Sequence, residues 1–462
     1  MQQSLEFDSE LIRRYDTSGP RYTSYPTAVQ FTEAFGEAEY RERARRSNET
    51  DTPAPLSLYF HIPFCNTVCF YCACNKVITA NRKRAQPYLD HLFREIRMQG
   101  ELYDRDRPVE QLHWGGGTPT FISDEQMRAL MDETRRHFAL RDDDSGEYSI
   151  EIDPREADAG TMALLRELGF NRISLGVQDF DPRVQQAVNR IQSEEETAAV
   201  LEAARAEGFK STSIDLIYGL PHQSVDSFAA TLDKVIAMGP DRLSVFNYAH
   251  LPQMFKTQRQ IRAEALPSAD EKLAILDYTI GRLTEAGYVY IGMDHFARPD
   301  DELAVAQREG TLYRNFQGYS THADCDLVAM GATSISKVGD SYSQNLKGLE
   351  DYYAALEAGR LPVFRGVVLT ADDRLRREVI TRLICNFELD FADIEAAYGI
   401  DFADYFADAL ERLQPMQADG LLVVNADGIQ VQPRGRLLIR NICMVFDRYL
   451  GSDSPQRFSK VI

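Results

Sequence analysis

A chain of 462 residues is too long for one small domain and fits a large α/β core with appendages. Its 44% hydrophobic and 26% charged residues are ordinary globular values, and no apolar run approaches the ~20 residues of a membrane span, which excludes disordered and membrane-spanning chains. The net charge of −20 repels polyanions, so nucleic acid is not an expected partner and an anionic small substrate would need a local basic patch.

The first residues, MQQSLEFDSELIRRYDTSGP, lack the basic start, apolar stretch and cleavage site of a secretory signal, and a cytoplasmic protein is expected. Residues 1–50 read as an arm lying over the core, because SGPRYTSYPT (18–27) is too polar and proline-broken for a helix or a central strand. From Leu56 to about Pro299 one theme recurs: a short β-rich run, a loop, then an amphipathic helix. The runs are LSLYFHIP (56–63), VEQLHWGGG (109–117), YSIEIDP (148–154), NRISLGVQDF (171–180), STSIDLIYGLP (211–221) and RLSVFNYAH (242–250). Between them lie helical stretches such as EEETAAVLEAARAEGF (194–209), with Gly208 as its stop. Six such units predict a parallel sheet closed into a partial (β/α)6 TIM-like barrel, with His61, glycines 115–117, Glu151, Gln178, Asp215 and Asn247 at the strand ends where barrel enzymes place chemistry. The barrel and its extension are assigned to residues 51–369. Residues 370–462 read as a mostly helical, winged-helix-like domain: a capping box at Thr370–Asp373, Leu375, Val379 and Leu383 on one face, a hairpin over 421–431 turning at Asp427-Gly428, and a helix from Ile439 to Tyr449. With 11 basic and 15 acidic residues over 371–462, that region reads as a structural cap and not as a DNA reader.

Of seven cysteines, Cys325, Cys385 and Cys443 are scattered and read as ordinary buried thiols, whereas Cys65, Cys69, Cys72 and Cys74 fall within ten residues. In a reducing compartment such a cluster binds metal or does redox chemistry. Three thiolates spaced C-x3-C-x2-C can hold three irons of a [4Fe–4S] cluster and leave the fourth open. A structural zinc site is the rival, opposed by the tight Cys72-x-Cys74 gap and by the lack of a second ligand pair downstream.

The C-x3-C-x2-C run after a strand, with Tyr71 before the third cysteine and GGGTPT (115–120) ending the second strand, resembles the radical S-adenosylmethionine superfamily. YFHIPFC, CxCNKVIT, QLHWGGGTPTF, SIEIDPRE, GVQDFDPRVQQAVNR, IDLIYGLP, SVFNYAH, GMDHFARPDDELAVAQREG and RNFQGY extend the likeness, from about Tyr15 to Ile462, to the oxygen-independent coproporphyrinogen III oxidase family. Ala73 stands where many relatives carry glycine. The resemblance implies an enzyme of porphyrin and haem biosynthesis, an oxidoreductase of the coproporphyrinogen dehydrogenase type. It would convert two propionates of coproporphyrinogen III to vinyls, giving protoporphyrinogen IX and carbon dioxide, through a 5′-deoxyadenosyl radical. It also implies a [4Fe–4S] cluster and two S-adenosylmethionine molecules, an electron donor and an electron acceptor of unidentified kind, and a monomer without membrane or nucleic-acid partners.

Carried over residue by residue, Cys65, Cys69 and Cys72 are the implied cluster ligands, and Tyr59, Gly116, Glu151 and Ile335 match positions that hold the first S-adenosylmethionine. Tyr71, Gly117, Thr118, Gln178, Arg190, Asp215 and Ala249 match positions associated with the second. Cys74, only two residues from Cys72, is expected not on the cluster but beside the substrate or second cofactor, as a catalytic thiol that passes a proton or hydrogen atom or as a side chain that fills space. Arg21, Lys76 and Arg190 are candidates for the substrate carboxylates, and Tyr22 and Tyr25 either pack on the tetrapyrrole or anchor their own segment. A haem chaperone on the same scaffold, a haem-opening radical enzyme and a non-enzymatic zinc protein remain as alternatives.

Overall fold

The computed structural model describes residues 5–450 and Lys460; residues 1–4, 451–459, 461 and 462, at the outer ends of the expected arm and C-terminal domain, lie outside the described residues. The chain packs into two units, one of residues 31–272 and 324–368, the other of residues up to 30, 273–323 and from 369 onward. Among the described residues no helix is long and apolar enough to cross a membrane.

The larger unit is built on β1 (Leu56–Ile62), β2 (Pro108–Gly116), β3 (Glu147–Ile152), β4 (Arg172–Gln178), β5 (Ser211–Tyr218) and β6 (Arg242–Asn247). They pair in chain order, all parallel, as the expected (β/α)6 barrel segment requires. Apolar residues such as Leu58, Phe60, Leu112, Trp114, Ile150, Leu175, Ile214 and Leu243 are buried on these strands. The crossover helices carry the caps their sequences encode. Ser193 opens Glu194–Ala206 with a capping box, and Ser224 opens Val225–Met238, which ends on Gly239 in the left-handed conformation. On its other edge β1 pairs in parallel with β7 (Asp326–Met330), followed by antiparallel β8 (Ile335–Val338), β9 (Ser341–Asn345) and β10 (Val363–Val368). Sequence reading passes over these antiparallel strands because Ile-Ser-Lys-Val and Ser-Tyr-Ser-Gln-Asn mix small polar residues into short runs.

The expected arm of residues 1–50 is not one piece. Helix Glu37–Asn48 belongs to the larger unit, tied there by Tyr40, whose hydroxyl meets Gln99 Oε1 at 2.9 Å and the Tyr103 hydroxyl at 2.8 Å. Arg107 adds a buried ion pair to Asp326 at 2.7 Å while donating to Ser47 Oγ, Asn48 Oδ1 and the Ala54 carbonyl. Within the smaller unit Tyr22 and Tyr25 are both buried. The Tyr22 hydroxyl donates to Asp447 at 3.0 Å, and that of Tyr25 accepts from the Arg448 amide at 3.1 Å. They are anchors of their own segment, and Arg21 is paired with Asp294.

The smaller unit holds the helical region after Thr370. Thr370 and Asp373 form the expected capping box on helix Ala371–Asn386, which buries Leu375, Val379 and Leu383. Strands Glu388–Asp390, Leu422–Val424 and Gly428–Val431 form a three-stranded sheet with the last strand central, the winged-helix arrangement. The hairpin turns on Asn425, whose Oδ1 accepts from the Asp427 and Gly428 amides. The last helix is shorter than expected, Ile439–Met444 instead of reaching Tyr449. Cys325, Cys385 and Cys443 are buried, as their contexts suggest.

In the larger unit Glu95 is enclosed, accepting from Asn345 Nδ2 at 2.7 Å, the Gly331 amide at 2.8 Å and the Tyr352 hydroxyl at 2.5 Å. Burial nevertheless pushes its carboxyl from 4.5 up to about 7. The folded state then keeps a proton that the unfolded chain gives up, so this group costs stability as pH rises from 4.5 towards 7, by up to about 3 kcal/mol. Urea unfolding at pH 5 and pH 8 should show a smaller pH difference in Glu95→Gln than in the native chain; an equal difference would acquit Glu95.

Candidate active site

The carboxyl ends of the parallel strands and the loop after β1 enclose a cleft of about 310 Å3. Its floor is made by a close approach of two strand exits. Gly117 N donates to the Ile62 carbonyl at 2.9 Å and Thr118 N to the Phe64 carbonyl at 2.7 Å. A Cβ on Gly117 would lie 2.7 Å from backbone atoms of Pro63, and one on Gly116, at φ +120°, 2.7 Å from the His61 ring. The glycine run therefore serves the chain's own packing, and it leaves the Gly116 amide free to point at Glu151.

Cys65, Cys69, Cys72 and Cys74 all line this cleft. Burial, with the neighbouring Cys72 and Cys69, pushes the Cys65 thiol up to about 11, while the Thr118 hydroxyl donates to its sulfur at 3.6 Å. Arg190 Nη1 donates to Cys69 Sγ at 3.6 Å and to Asp153 Oδ2 at 3.0 Å, and Nη2 to the Gly176 carbonyl. The neighbouring Cys74 thiol brings the Cys72 thiol down to about 6, and Cys72 together with burial raises Cys74 well above its ordinary range. Lys76 Nζ donates to the Cys72 carbonyl at 2.9 Å, so this candidate for substrate carboxylates is committed to the cysteine loop. Arg190 is likewise committed to Asp153, Gly176 and Cys69. Soft sulfur donors on one wall, two hydrogen-bond donors aimed at sulfur and a buried Arg190 Nε without a partner fit an anionic iron–sulfur group.

The cleft also carries carboxylates. Glu151 Oε2 accepts from the Gly116 amide at 3.0 Å, and Oε1 lies 3.4 Å from His113 Nε2. Burial alone would raise this carboxyl, but His113, the Gly116 amide and His61 outweigh it and hold it below its ordinary value. His113 Nδ1 lies 2.6 Å from Ser149 Oγ, and its ring stacks on Tyr59 with centroids 5.8 Å apart. Tyr59 supports the wall through His113 and His61 without lining the cleft itself. Asp215 sits in the middle of β5, not at its end as the sequence suggested, because Leu216, Ile217 and Tyr218 continue the pairing. It accepts from Ser174 Oγ at 3.0 Å, and burial, opposed by Ser244 and Ser174, pushes its carboxyl up to about 6. A register shift between Gly176 and Gln178 leaves Gln178 at φ +69° with its side chain in the cleft. Tyr71 also lines the cleft and packs against Val184, Val188, Leu220, Tyr248 and Ile261.

Cys65, Cys69, Tyr71, Cys72, Cys74, Gly116, Gly117, Thr118, Glu151, Gln178, Arg190 and Asp215 thus meet in one cleft; Tyr59, Ala249 and Ile335 do not line it. Ile335 opens β8, and Ala249 follows β6. Sequence reading missed His113, Asp153 and Arg155. Asp153 and Arg155 stood inside the quoted SIEIDPRE run, and Arg155 Nε donates to Asp153 Oδ1 at 2.9 Å. His113 had only its place two residues before the glycines as a signal.

Residues 59–235 match the Radical SAM superfamily and residues 369–438 the HemN C-terminal domain. Oxygen-independent coproporphyrinogen III oxidase of Pseudomonas aeruginosa is 58% identical over 462 residues, covering 100% of both chains. The Escherichia coli protein of that name is 53% identical, covering 100% of this chain and 99% of its own. The solved structure described as coproporphyrinogen III oxidase (HemN) from Escherichia coli, a radical SAM enzyme, superposes with a TM-score of 0.92 at 52% identity, covering 97% of this chain and 100% of that one. Likeness that runs from end to end at this level, on a parallel sheet whose mouth gathers the three spaced thiols, means that this chain belongs to the oxygen-independent coproporphyrinogen III oxidases of the radical SAM superfamily.

Proposed function

We propose that this chain decarboxylates two propionates of coproporphyrinogen III to vinyls without oxygen, giving protoporphyrinogen IX in haem biosynthesis. Each propionate loses a β-hydrogen atom, carbon dioxide and one electron, so a donor to the cluster and an acceptor of the final electron must meet the protein. The observation that carries this reading is the single cleft that joins Cys65, Cys69 and Cys72 to Gly116 and Glu151. Its three thiols would hold the cluster. When bound, the reduced cluster and S-adenosylmethionine supply a carbon radical able to take hydrogen from an unactivated carbon, chemistry no side chain offers.

Glu151, kept ionised by His113 and Gly116, would receive charged or hydroxyl-bearing groups of a first S-adenosylmethionine, with Tyr59 and Ile335 completing its surroundings. A second molecule would occupy the side formed by Tyr71, Gly117, Thr118, Gln178, Arg190, Asp215 and Ala249. Asp215, already bonded to Ser174, has a carboxyl suited to a ribose hydroxyl. Cys74, which lines the same cleft, would deliver or relay hydrogen near the substrate and not bind iron.

Anaerobic reconstitution followed by assay of protoporphyrinogen formation tests the reading. Native protein should turn over, and Cys74→Ser should keep full iron and an unaltered cluster spectrum while turnover falls by at least about a hundredfold, the scale of losing a proton-transfer group. Tight haem binding without turnover of coproporphyrinogen III would favour a haem chaperone instead. Iron loss in Cys74→Ser would make this thiol a ligand, and unaltered turnover would make it packing.

A further inference from the structure

The cysteine loop is clamped from outside by a segment to which no function is attached, the turn Lys256–Gln260 and the residues leading into it. Gln258 is 2% exposed. Its Oε1 accepts from the Leu251 amide at 2.6 Å, which leaves Nε2 to donate to the Tyr71 carbonyl at 2.9 Å. Next to it the Thr257 hydroxyl donates to the Cys72 carbonyl at 3.1 Å, an oxygen that also accepts from Lys76. The Cys72 amide in turn donates to the Cys69 carbonyl at 3.2 Å. The peptide unit joining Tyr71 to Cys72 is therefore held at both its oxygen and its nitrogen, and its plane is set. That plane, together with the next peptide held through the Cys72 carbonyl oxygen, determines where the Cα–Cβ bond of Cys72 points.

Two further bonds fix the loop upstream, the Phe70 amide to the Val188 carbonyl at 2.9 Å and Asn189 Nδ2 to the Val68 carbonyl at 2.8 Å. Phe70 and Tyr71 also sink into the apolar cluster of Val184, Val188, Leu220, Tyr248 and Ile261, to which Leu266 contributes. The clamp thus combines apolar anchoring with hydrogen bonds aimed at main-chain atoms between two thiols.

We propose that Gln258, assisted by Thr257, is a positioning residue for the iron–sulfur centre: it sets the Tyr71–Cys72 peptide and thereby the aim of the Cys72 sulfur. The inference rests on the cluster reading of the cleft. An amide suits 258, since it accepts from Leu251 and donates to Tyr71 at once without changing charge. Gln258→Glu keeps the size; read at pH 8, above the value to which burial lifts the enclosed Glu95, it sets a carboxylate oxygen against the Tyr71 carbonyl and turns attraction into repulsion.

The test uses Gln258→Glu and Thr257→Val in the full chain. In the metal-free protein, amides of residues 70–76 should exchange about tenfold faster in Gln258→Glu, the loss of one such hydrogen bond, while strands β1–β6 exchange as in the native chain. After anaerobic reconstitution, the electron paramagnetic resonance signal of the reduced cluster should change shape and a chelator should strip iron about tenfold faster. A merely structural role would speed exchange throughout and leave the resonance signal alone. Native exchange in the loop of a folded Gln258→Glu, or a native signal and native iron loss, would overturn the proposal. If Gln258→Glu does not fold, Thr257→Val carries the same readouts, and unaltered loop exchange there overturns it. Should native protein bind no iron, the cluster reading fails by that result alone, whatever the loop exchange shows.

Discussion

Cys65→Ser, Cys69→Ser and Cys72→Ser are each expected to leave a folded chain without a stable cluster. Native protein isolated anaerobically should be brown and contain about four irons and four sulfides per chain; each variant should fall to background, with turnover down by more than about a hundredfold. Serine keeps the volume but replaces the soft thiolate with a hard, weakly acidic hydroxyl. Of the other groups lining the cleft, Glu151, Asp153, Glu156 and Asp215 offer only hard oxygen donors, and Cys74 stands just two residues from Cys72. The centre should also be oxygen-sensitive, because three cysteines leave one iron without a protein ligand. Stoichiometric zinc with no iron in the native protein, or full iron in any one variant, would refute the assignment.

Glu151→Ala should behave in the opposite way, keeping iron and the cluster spectrum while losing S-adenosylmethionine. The carboxylate is no sulfur-side donor. It is bonded to the Gly116 amide and faces His113, and its charge is maintained against burial. Removing a charge-assisted partner of a cationic ligand costs about 1.5–3 kcal/mol, roughly a ten- to hundredfold loss of affinity. Formation of 5′-deoxyadenosine at limiting S-adenosylmethionine should fall by that factor. The alanine also leaves the Gly116 amide without its acceptor, so Glu151→Gln, which retains one oxygen, should recover part of the binding. Unaltered cleavage in Glu151→Ala would remove Glu151 from the site.

Several features were legible in the residues because their causes are local. Thr370 opens a helix by bonding the amide three residues on, Gly208 follows another in a conformation costly for other residues, and six apolar runs separated by amphipathic stretches pair as a parallel, helix-covered sheet. The C-x3-C-x2-C spacing likewise lies within a single loop, and most residues carried over from the family meet in one cleft.

Other features depend on residues far apart in the chain. That Arg190 bonds Cys69 and Asp153 instead of waiting for a substrate carboxylate follows from how the loop after β4 meets the loop after β1. That His113 holds Glu151 follows from the register of β2 against β3, and the place of Asp215 in mid-strand from pairing that continues for three residues beyond it. The arm divides near residue 30 because Tyr40 and Arg107 find buried partners in the larger unit while Tyr22 and Tyr25 find theirs in the smaller. The amino-acid sequence by itself determined the strand and helix series, the caps and the thiol spacing, since each is decided within a few residues. Only the tertiary structure decided which charges are already spent, since neutralisation by a buried partner depends on distances that no local pattern encodes.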